Sequence, residues 1–507
     1  MTMARAIVVG AGLGGLSAAI RLAARGWEVT VYEKNPDVGG RASGIGAGGF
    51  TWDAGPTLIM MPEVLHELFA VAGRRLEDYL DLRRIDPYYR VAFEDGRHLD
   101  FTGNLPAMVA GVEAIEPGAG RQYLRFLSHA ERLSSVARQG IIERSFDGVT
   151  DLLKPSVLAP LLRSRPFQTV ASEVARHFRS PALRSAFSFQ TLYLGTRPDI
   201  TPAAYLMIPF VEAALGVWYP MGGTRRIGEA MARVARELGV HVRTGTPVSQ
   251  ILTAGGRASG VTLDGGARAH ADAVVVNAEW AYSQRLLLDG GETAPGRNHG
   301  ASAVLLCFAV RGPVPGPHHT FFLSGDFAGN LADVFERRVV PERPSIYLCR
   351  PTATDRGLAP AGVELLYALV PCPTLEGGID WQRELPALRG KVLERLAHAG
   401  IGLDGRLLAE TVLTPEGFRG RYNLLHGSAF GLAATLLQSG PFRPTIRSRR
   451  YGGLYHVGAS VHPGGGVPIV TLSGRLAAEA IAADFAGAAA PRRITAKRVE
   501  RAWSASS

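Results

Sequence analysis

The stretch "ARAIVVGAGLGGLSAAIRLAARGWEVTVYEK", residues 4–34, decides the fold. Its opening "ARAIVVG" is an apolar, β-branched run without polar alternation, as expected of a strand buried on both faces in a parallel sheet. "GAGLGG" follows, then an amphipathic helix expected from about Leu13 to Arg25, then a second strand in "WEVTVYEK". Gly10, Gly12 and Gly15 stand at the spacing G-x-G-x-x-G, with Gly14 inside the loop. In such a loop the first glycine permits the tight turn, the second lets the backbone approach a pyrophosphate, and the third lets helix and sheet pack closely. Free N–H groups and the dipole at the helix N-terminus favour the phosphates. The second strand ends in Glu33 and Lys34, and Glu33 lies near the spacing at which an acid binds a ribose hydroxyl. Strand, loop, helix, strand and acid together make a dinucleotide-binding unit, and the acid disfavours a 2′-phosphate. The same run has one Arg and then small apolar residues, like a secretory leader, but cleavage there would destroy the unit.

The chain has 507 residues, enough for about two or three domains. A hydrophobic fraction of 46% and a charged fraction of 20% describe a folded globular protein. The formal net charge of +10 could favour nucleic acid, anionic membrane or acidic ligands. No zinc-finger, helix-turn-helix or RNA-binding signature accompanies it, so nucleic acid is not an expected partner. Three cysteines, Cys307, Cys349 and Cys372, form no C-x-x-C pair, which argues against a disulfide framework or structural metal and fits a reducing cytoplasm. No run of about 18 apolar residues lacks a charge or a breaker, so no spanning helix is expected.

Further along, "NPDVGGRAS" sets Gly39, Gly40 and Arg41 beside the same crevice, where a guanidinium fork suits a pyrophosphate. This unit resembles the extended motif of the amine-oxidase-like flavoproteins, which implies FAD rather than NAD. Residues from about Glu63 to Phe210 carry helix-period apolar stretches and form an expected helical layer. "AVLLCFAV", "SIYLCR" and "VELLYALVP" are expected strands of a second sheet. His318 and His319 in "GPVPGPHHT" are expected in a Pro-rich surface loop, without a metal. Near the end, "GGLYHVGASVHPGGGVPIVTLSGRLAAEAIAADF" repeats strand, glycine turn and helix, with Pro468 in the helix's first turn. FAD is long. The first unit would hold its phosphates, and this last unit its isoalloxazine, with a helix N-terminus favouring the negative charge of reduced flavin.

"GFTWDAGPTLIMMPEV", "AFSFQTLYLG", "GVWYPMGGT", "GSAFGL", "QSGPFRP" and "GLYHVGASVHPGGGVP" together resemble the bacterial-type carotene desaturases, that is, the phytoene and 4,4′-diapophytoene (dehydrosqualene) desaturases. The likeness covers nearly the whole chain, and "GPTLIMMPEV" with "PSIYLCRPTATDRGLAP" looks closer to the diapophytoene branch.

The resemblance implies an α/β fold. A Rossmann-type, glutathione-reductase-like FAD-binding domain would be assembled from residues 1–80, 218–290 and 445–490. A mixed-sheet substrate domain would take 81–105 and 291–444, a helical, membrane-facing insertion 106–217, and a basic tail 491–507. FAD contacts would come from Gly10, Gly12, Gly14, Gly15, Glu33, Lys34, Gly40, Arg41, Gly55, Pro56, Thr57, Gly222, Val248, Asn277, Gly458, Gly466 and Val467.

It also implies a cytoplasmic enzyme held peripherally on the inner face of the cell membrane. Such an enzyme takes hydrogens from a long apolar isoprenoid and passes electrons to oxygen or a quinone. Glu212, in "PAAYLMIPFVEAALGVW", is a candidate base or a structural ion-pair partner. Arg184 matches an arginine of the family's active site, but Pro181 stands where some relatives carry an acid, which puts an acid–base role for that pair in doubt. His462 is expected to shape its turn. Competing assignments are a carotenoid isomerase, a carotenoid end-group oxidase, or a non-redox prenyl-lipid carrier on the same fold. Chain length of the substrate, C30 or C40, and oligomeric state are left open.

Overall fold

The computed structural model describes residues 3–288 and 297–486. The expected basic tail, 491–507, lies outside them. Strand Arg5–Val9 is the centre of a five-stranded parallel sheet, ordered Leu454–His456, Ala273–Val276, Arg5–Val9, Glu28–Tyr32, His241–Arg243. One sheet therefore joins the beginning, middle and end of the described chain. Helix Leu13–Ala23 packs against Val467–Asp484 and Arg225–Glu237. The first contact is close. A Cβ on Gly474 would lie 2.6 Å from the Ser17 side chain, and the Ser17 hydroxyl donates to the Thr471 carbonyl at 2.8 Å.

The second sheet has seven strands, ordered Leu407–Leu413, Ser302–Arg311, Val363–Cys372, Ile346–Cys349, His319–Phe322, Tyr89–Ala92, His98–Phe101. Only the pairing of Tyr89–Ala92 with His319–Phe322 is parallel. Strand Ser302–Arg311 shows why its sequence is an unbroken apolar run. Ala303, Leu305, Cys307 and Ala309 join the core on one face, while Val304, Leu306, Phe308 and Val310 pack on the other under helix Trp381–His398. With both faces buried, alternation disappears from the sequence. Helices Leu105–Ile115, Ala119–Ala137, Pro155–Arg163, Val170–His177 and Met207–Leu215 supply the helical layer.

One expectation is corrected. His319 opens a strand, and His318 and His319 are both buried, at 3% and 0% exposure. The proline- and glycine-rich lead-in resembles a surface loop, yet the chain enters the sheet between two other strands. Among the described residues no helix is long and apolar enough to cross a membrane.

Candidate functional site

The two glycine-rich units meet in one cavity of about 600 Å³. Its lining includes Gly10, Gly12, Gly14, Glu33, Lys34, Gly40, Arg41, Val248 and Asn277. Gly10 takes φ +99°, and its N–H donates to the Tyr32 carbonyl at 2.7 Å. The other glycines are required by space. A Cβ would stand 2.5 Å from Asn277 Nδ2 at Gly12, 2.9 Å from Asn277 Oδ1 at Gly14, and 2.3 Å from the Gly10 carbonyl oxygen at Gly15. Gly12 caps helix Leu13–Ala23 without a side-chain bond, so the first-turn N–H groups are left for a ligand. Gly15 packs behind the loop and does not line the cavity.

Glu33 is buried and braces the loop. Its Oε2 accepts from the Ala11 N–H at 2.8 Å and its Oε1 from the Asn35 N–H at 2.9 Å. Lys34 Nζ donates to the Gly420 carbonyl and to Asn423 Oδ1, both at 2.8 Å. The turn Gly39–Gly40–Arg41 lies directly on the glycine loop. The Gly39 N–H donates to the Ala11 carbonyl at 2.8 Å, and a Cβ on Gly40 would lie 3.2 Å from Gly12 Cα. Arg41 Nη1 donates to the Ala429 carbonyl at 2.8 Å. Burial lowers the Arg41 pKa, and the Glu279 carboxylate partly offsets this. Gly55 is needed because a Cβ there would come within 2.2 Å of the Arg41 carbonyl oxygen. Gly55, Pro56 and Thr57 continue the wall.

At the C-terminal unit, Gly458, with φ +100°, donates its N–H to Ser473 Oγ at 2.9 Å. Gly466, with φ +107°, caps helix Val467–Asp484, whose first turn lines the cavity. Arg443, fully buried, ties this loop by donating to the carbonyls of Ala459 at 2.6 Å, Val461 at 3.1 Å and Gln438 at 3.1 Å. Sequence reasoning singles out neither Arg443 nor Glu279; "QSGPFRP" was the available signal for the former. Buried His462 is held by its Nε2 on the Arg144 carbonyl at 2.7 Å, and burial lowers its pKa to about 4.

Beyond the glycines the walls are apolar and aromatic, with Leu192, Tyr193, Ile208, Val211, Phe321 and Tyr347 among them. The charged residues among those lining the cavity are Glu33, Lys34, Arg41, Glu279 and Arg443.

Three of the expected site residues lie elsewhere. Arg184 is exposed, with Nε donating to the Phe178 carbonyl at 2.8 Å. The Gly222 N–H donates to the Asp355 carboxylate at 2.6 Å. Glu212 is 1% exposed and sits behind the wall, accepting from the Tyr89 hydroxyl at 2.9 Å. Burial outweighs the hydrogen bond from Tyr89 and pushes its pKa up to about 8.

The residues present fit FAD. A side-chain-free cradle at a helix N-terminus suits a pyrophosphate, a buried acid follows the second strand, and a second helix N-terminus opens onto the same cavity.

Comparison with known proteins agrees. Residues 13–482 match the family described as flavin containing amine oxidoreductase. The chain belongs to this family. As a member, it is an FAD-dependent oxidoreductase. It is 42% identical to a zeta-carotene-forming phytoene desaturase of Myxococcus xanthus, over 94% of this chain and 93% of that one. It is 34% identical to a 4,4′-diapophytoene desaturase of Staphylococcus haemolyticus, over 94% and 98% of the two chains. Overall identity thus lends no support to the lean toward the diapophytoene branch. The fold of this flavoprotein is similar to that of a putrescine oxidase, with a TM-score of 0.61 at 16% identity, covering 95% of this chain and 99% of the other.

Proposed function

We propose that the protein is an FAD-dependent desaturase that removes hydrogens from a long apolar isoprenoid, phytoene or diapophytoene, and extends its conjugation in carotenoid biosynthesis. One observation carries this. Apart from Glu33, Lys34, Arg41, Glu279 and Arg443 the cavity lining carries no charge and is largely apolar and aromatic, which suits a hydrocarbon without a polar handle. Oxidised flavin supplies a hydride acceptor. The chain's own task is to hold the polyene in the cavity, exclude water and take up a proton. A carboxyl titrating near 8 is mostly protonated at neutral pH, so Glu212 is better suited to anchoring Tyr89 than to accepting that proton. Electrons would leave to oxygen or a quinone.

Peripheral attachment to the inner face of the cell membrane is part of the proposal, since such a substrate resides in a bilayer. It is supported by exposed apolar side chains on one segment, with Leu153 84%, Leu162 55% and Phe167 80% exposed, interleaved with Lys154, Arg163 and Arg165. Helix Pro155–Arg163 packs on the turn Arg138–Ile142, whose Ile141 and Ile142 line the cavity. Apolar burial and anionic lipid would act together on such a face.

The test is expression in a host supplying phytoene or diapophytoene. Extracts should become coloured, and the absorption spectrum should report substrate and step count. Flavin-loaded protein with colourless extracts from both hosts would refute the proposal.

A further inference from the structure

Outside the lining of the flavin cavity, His299, Glu376 and His426 come together from three separate segments. One ligand atom from each lies within 4.8 Å of the other two. The two imidazole rings stand 4.1 Å apart, centroid to centroid, with a tilt of 32°. His426 Nδ1 lies 3.5 Å from Glu376 Oε1. Both ring nitrogens of His299 are buried, and neither has a hydrogen-bond partner in the protein. A neutral imidazole carries one N–H donor and one acceptor lone pair, so both polar groups of this ring are left unmatched. Burying them so is costly, and it calls for a bound ion or water to complete the ring.

Backbone contacts hold the three segments together. The Leu375 N–H donates to the His426 carbonyl at 3.0 Å, which ties the turn carrying Glu376 to the loop carrying His426. The Gly300 N–H donates to the Gly431 carbonyl at 2.7 Å, and His299 pairs with Leu432 in an isolated antiparallel bridge. A Cβ on Gly427 would come within 2.6 Å of the Pro415 carbonyl oxygen and 3.0 Å of the Leu375 side chain, so turn and loop are packed without slack. The backbone therefore sets the three donors side by side. The side chains of His426 and Glu376, 35% and 43% exposed, keep freedom to rotate.

We propose that His299, His426 and Glu376 form a binding site for one divalent transition-metal ion of the zinc type. Two imidazoles and a carboxylate, without a thiolate, suit Zn(II) and its first-row neighbours. Mg(II) and Ca(II) prefer all-oxygen sites, and Cu(I) prefers sulfur. Three protein ligands leave a position for water, which the partial exposure of the site admits. Two imidazoles on one such ion have centroids about 4.5–5 Å apart, slightly wider than the 4.1 Å here. Its ligand atoms stand about 3.3 Å apart, so a separation of up to 4.8 Å closes by rotation of the two part-exposed side chains. The site uses no cysteine, so the cysteine count that argues against a structural metal does not bear on it.

The ion would be structural. His426 sits between Asn423, whose Oδ1 accepts from Lys34, and Ala429, whose carbonyl accepts from Arg41. Lys34 and Arg41 belong to the nucleotide cradle. An ion on His426 therefore pins, from outside the cavity, the loop that leans on that cradle. The inference holds whatever substrate the cavity takes.

The test uses untagged, flavin-loaded full chain, stripped with EDTA and titrated with Zn(II). Wild type should take up one ion per chain, and its melting temperature should rise with Zn(II). His426→Ala and Glu376→Ala replace part-exposed side chains, so both variants should fold, keep their flavin and match stripped wild type in melting temperature. Each should bind Zn(II) about 10-fold more weakly or worse, and lose the thermal shift. Zn(II) should also slow flavin release several-fold in wild type and in neither variant. Wild type loaded with Co(II) should show visible absorption without a thiolate-to-cobalt charge-transfer band. No uptake by stripped wild type overturns the proposal, as does equal uptake by both variants, which would mark adventitious surface binding only. A thiolate band would put the ion on cysteine and overturn it too. Stoichiometric uptake with unchanged flavin release overturns the pinning of the loop.

Discussion

Glu212→Gln isolates the energetics of the buried wall. The carboxyl is 1% exposed, and burial raises its pKa from 4.5 to about 8. The raised value means that between pH 4.5 and 8 the folded protein binds a proton that the unfolded chain has lost. Stability therefore falls as pH rises through this window, by up to about 1.4 kcal/mol per pH unit. Glutamine has nearly the same shape, stays neutral, and still accepts from the Tyr89 hydroxyl. The variant should lack this slope. Relative to wild type it should gain roughly 3 kcal/mol between pH 5 and 7.5. For a chain of this size that corresponds to roughly 3 °C in melting temperature. The assay is thermal or urea unfolding of both flavin-loaded proteins at half-unit pH steps, and turnover of the variant at pH 7 should be largely retained. Parallel pH profiles for the two proteins would show that Glu212 is ionised in the fold, and the argument that it anchors the wall as a neutral acid would fail.

Gly12→Val should yield folded protein without bound flavin, because its Cβ would meet Asn277 Nδ2 at 2.5 Å and fill the cradle; full flavin absorbance in the purified variant refutes the assignment of that loop. Gly465→Leu should abolish turnover while weakening flavin binding much less. The protein leaves 3.7 Å to the nearest atom at that Cβ, so the added side chain projects into the cavity rather than into the fold, and unchanged turnover would remove this turn from the site. Co-sedimentation with anionic liposomes should fall several-fold in Leu153→Ser/Phe167→Ser and, for wild type, with added salt; equal binding of the double variant places the membrane face elsewhere.

The sequence by itself determined the nucleotide end of the site. A G-x-G-x-x-G loop between a β-branched strand and a helix is a local device, visible whole in one short window, and the 2.3 Å approach of a Gly15 Cβ to the Gly10 carbonyl is set within it, although Gly12 and Gly14 also answer to the distant Asn277. The second glycine unit was legible for the same reason. What required the tertiary structure was everything set by strands and helices distant in the chain. Arg184 and Glu212 could be placed on helices, but not on a face of the molecule, and one proved exposed while the other lies behind the wall. Arg443 is a buried cation only because four backbone carbonyls converge on it from two loops. His318 and His319 look like loop residues after "GPVPGP". They are buried because His319 pairs with Cys349 in the middle of a mixed sheet, and strand order is not encoded in any local window. A proline- and glycine-rich approach specifies how the chain turns, not what it turns into, and only the packed sheet brings Thr57, Tyr347 and His319 into hydrogen-bonding range.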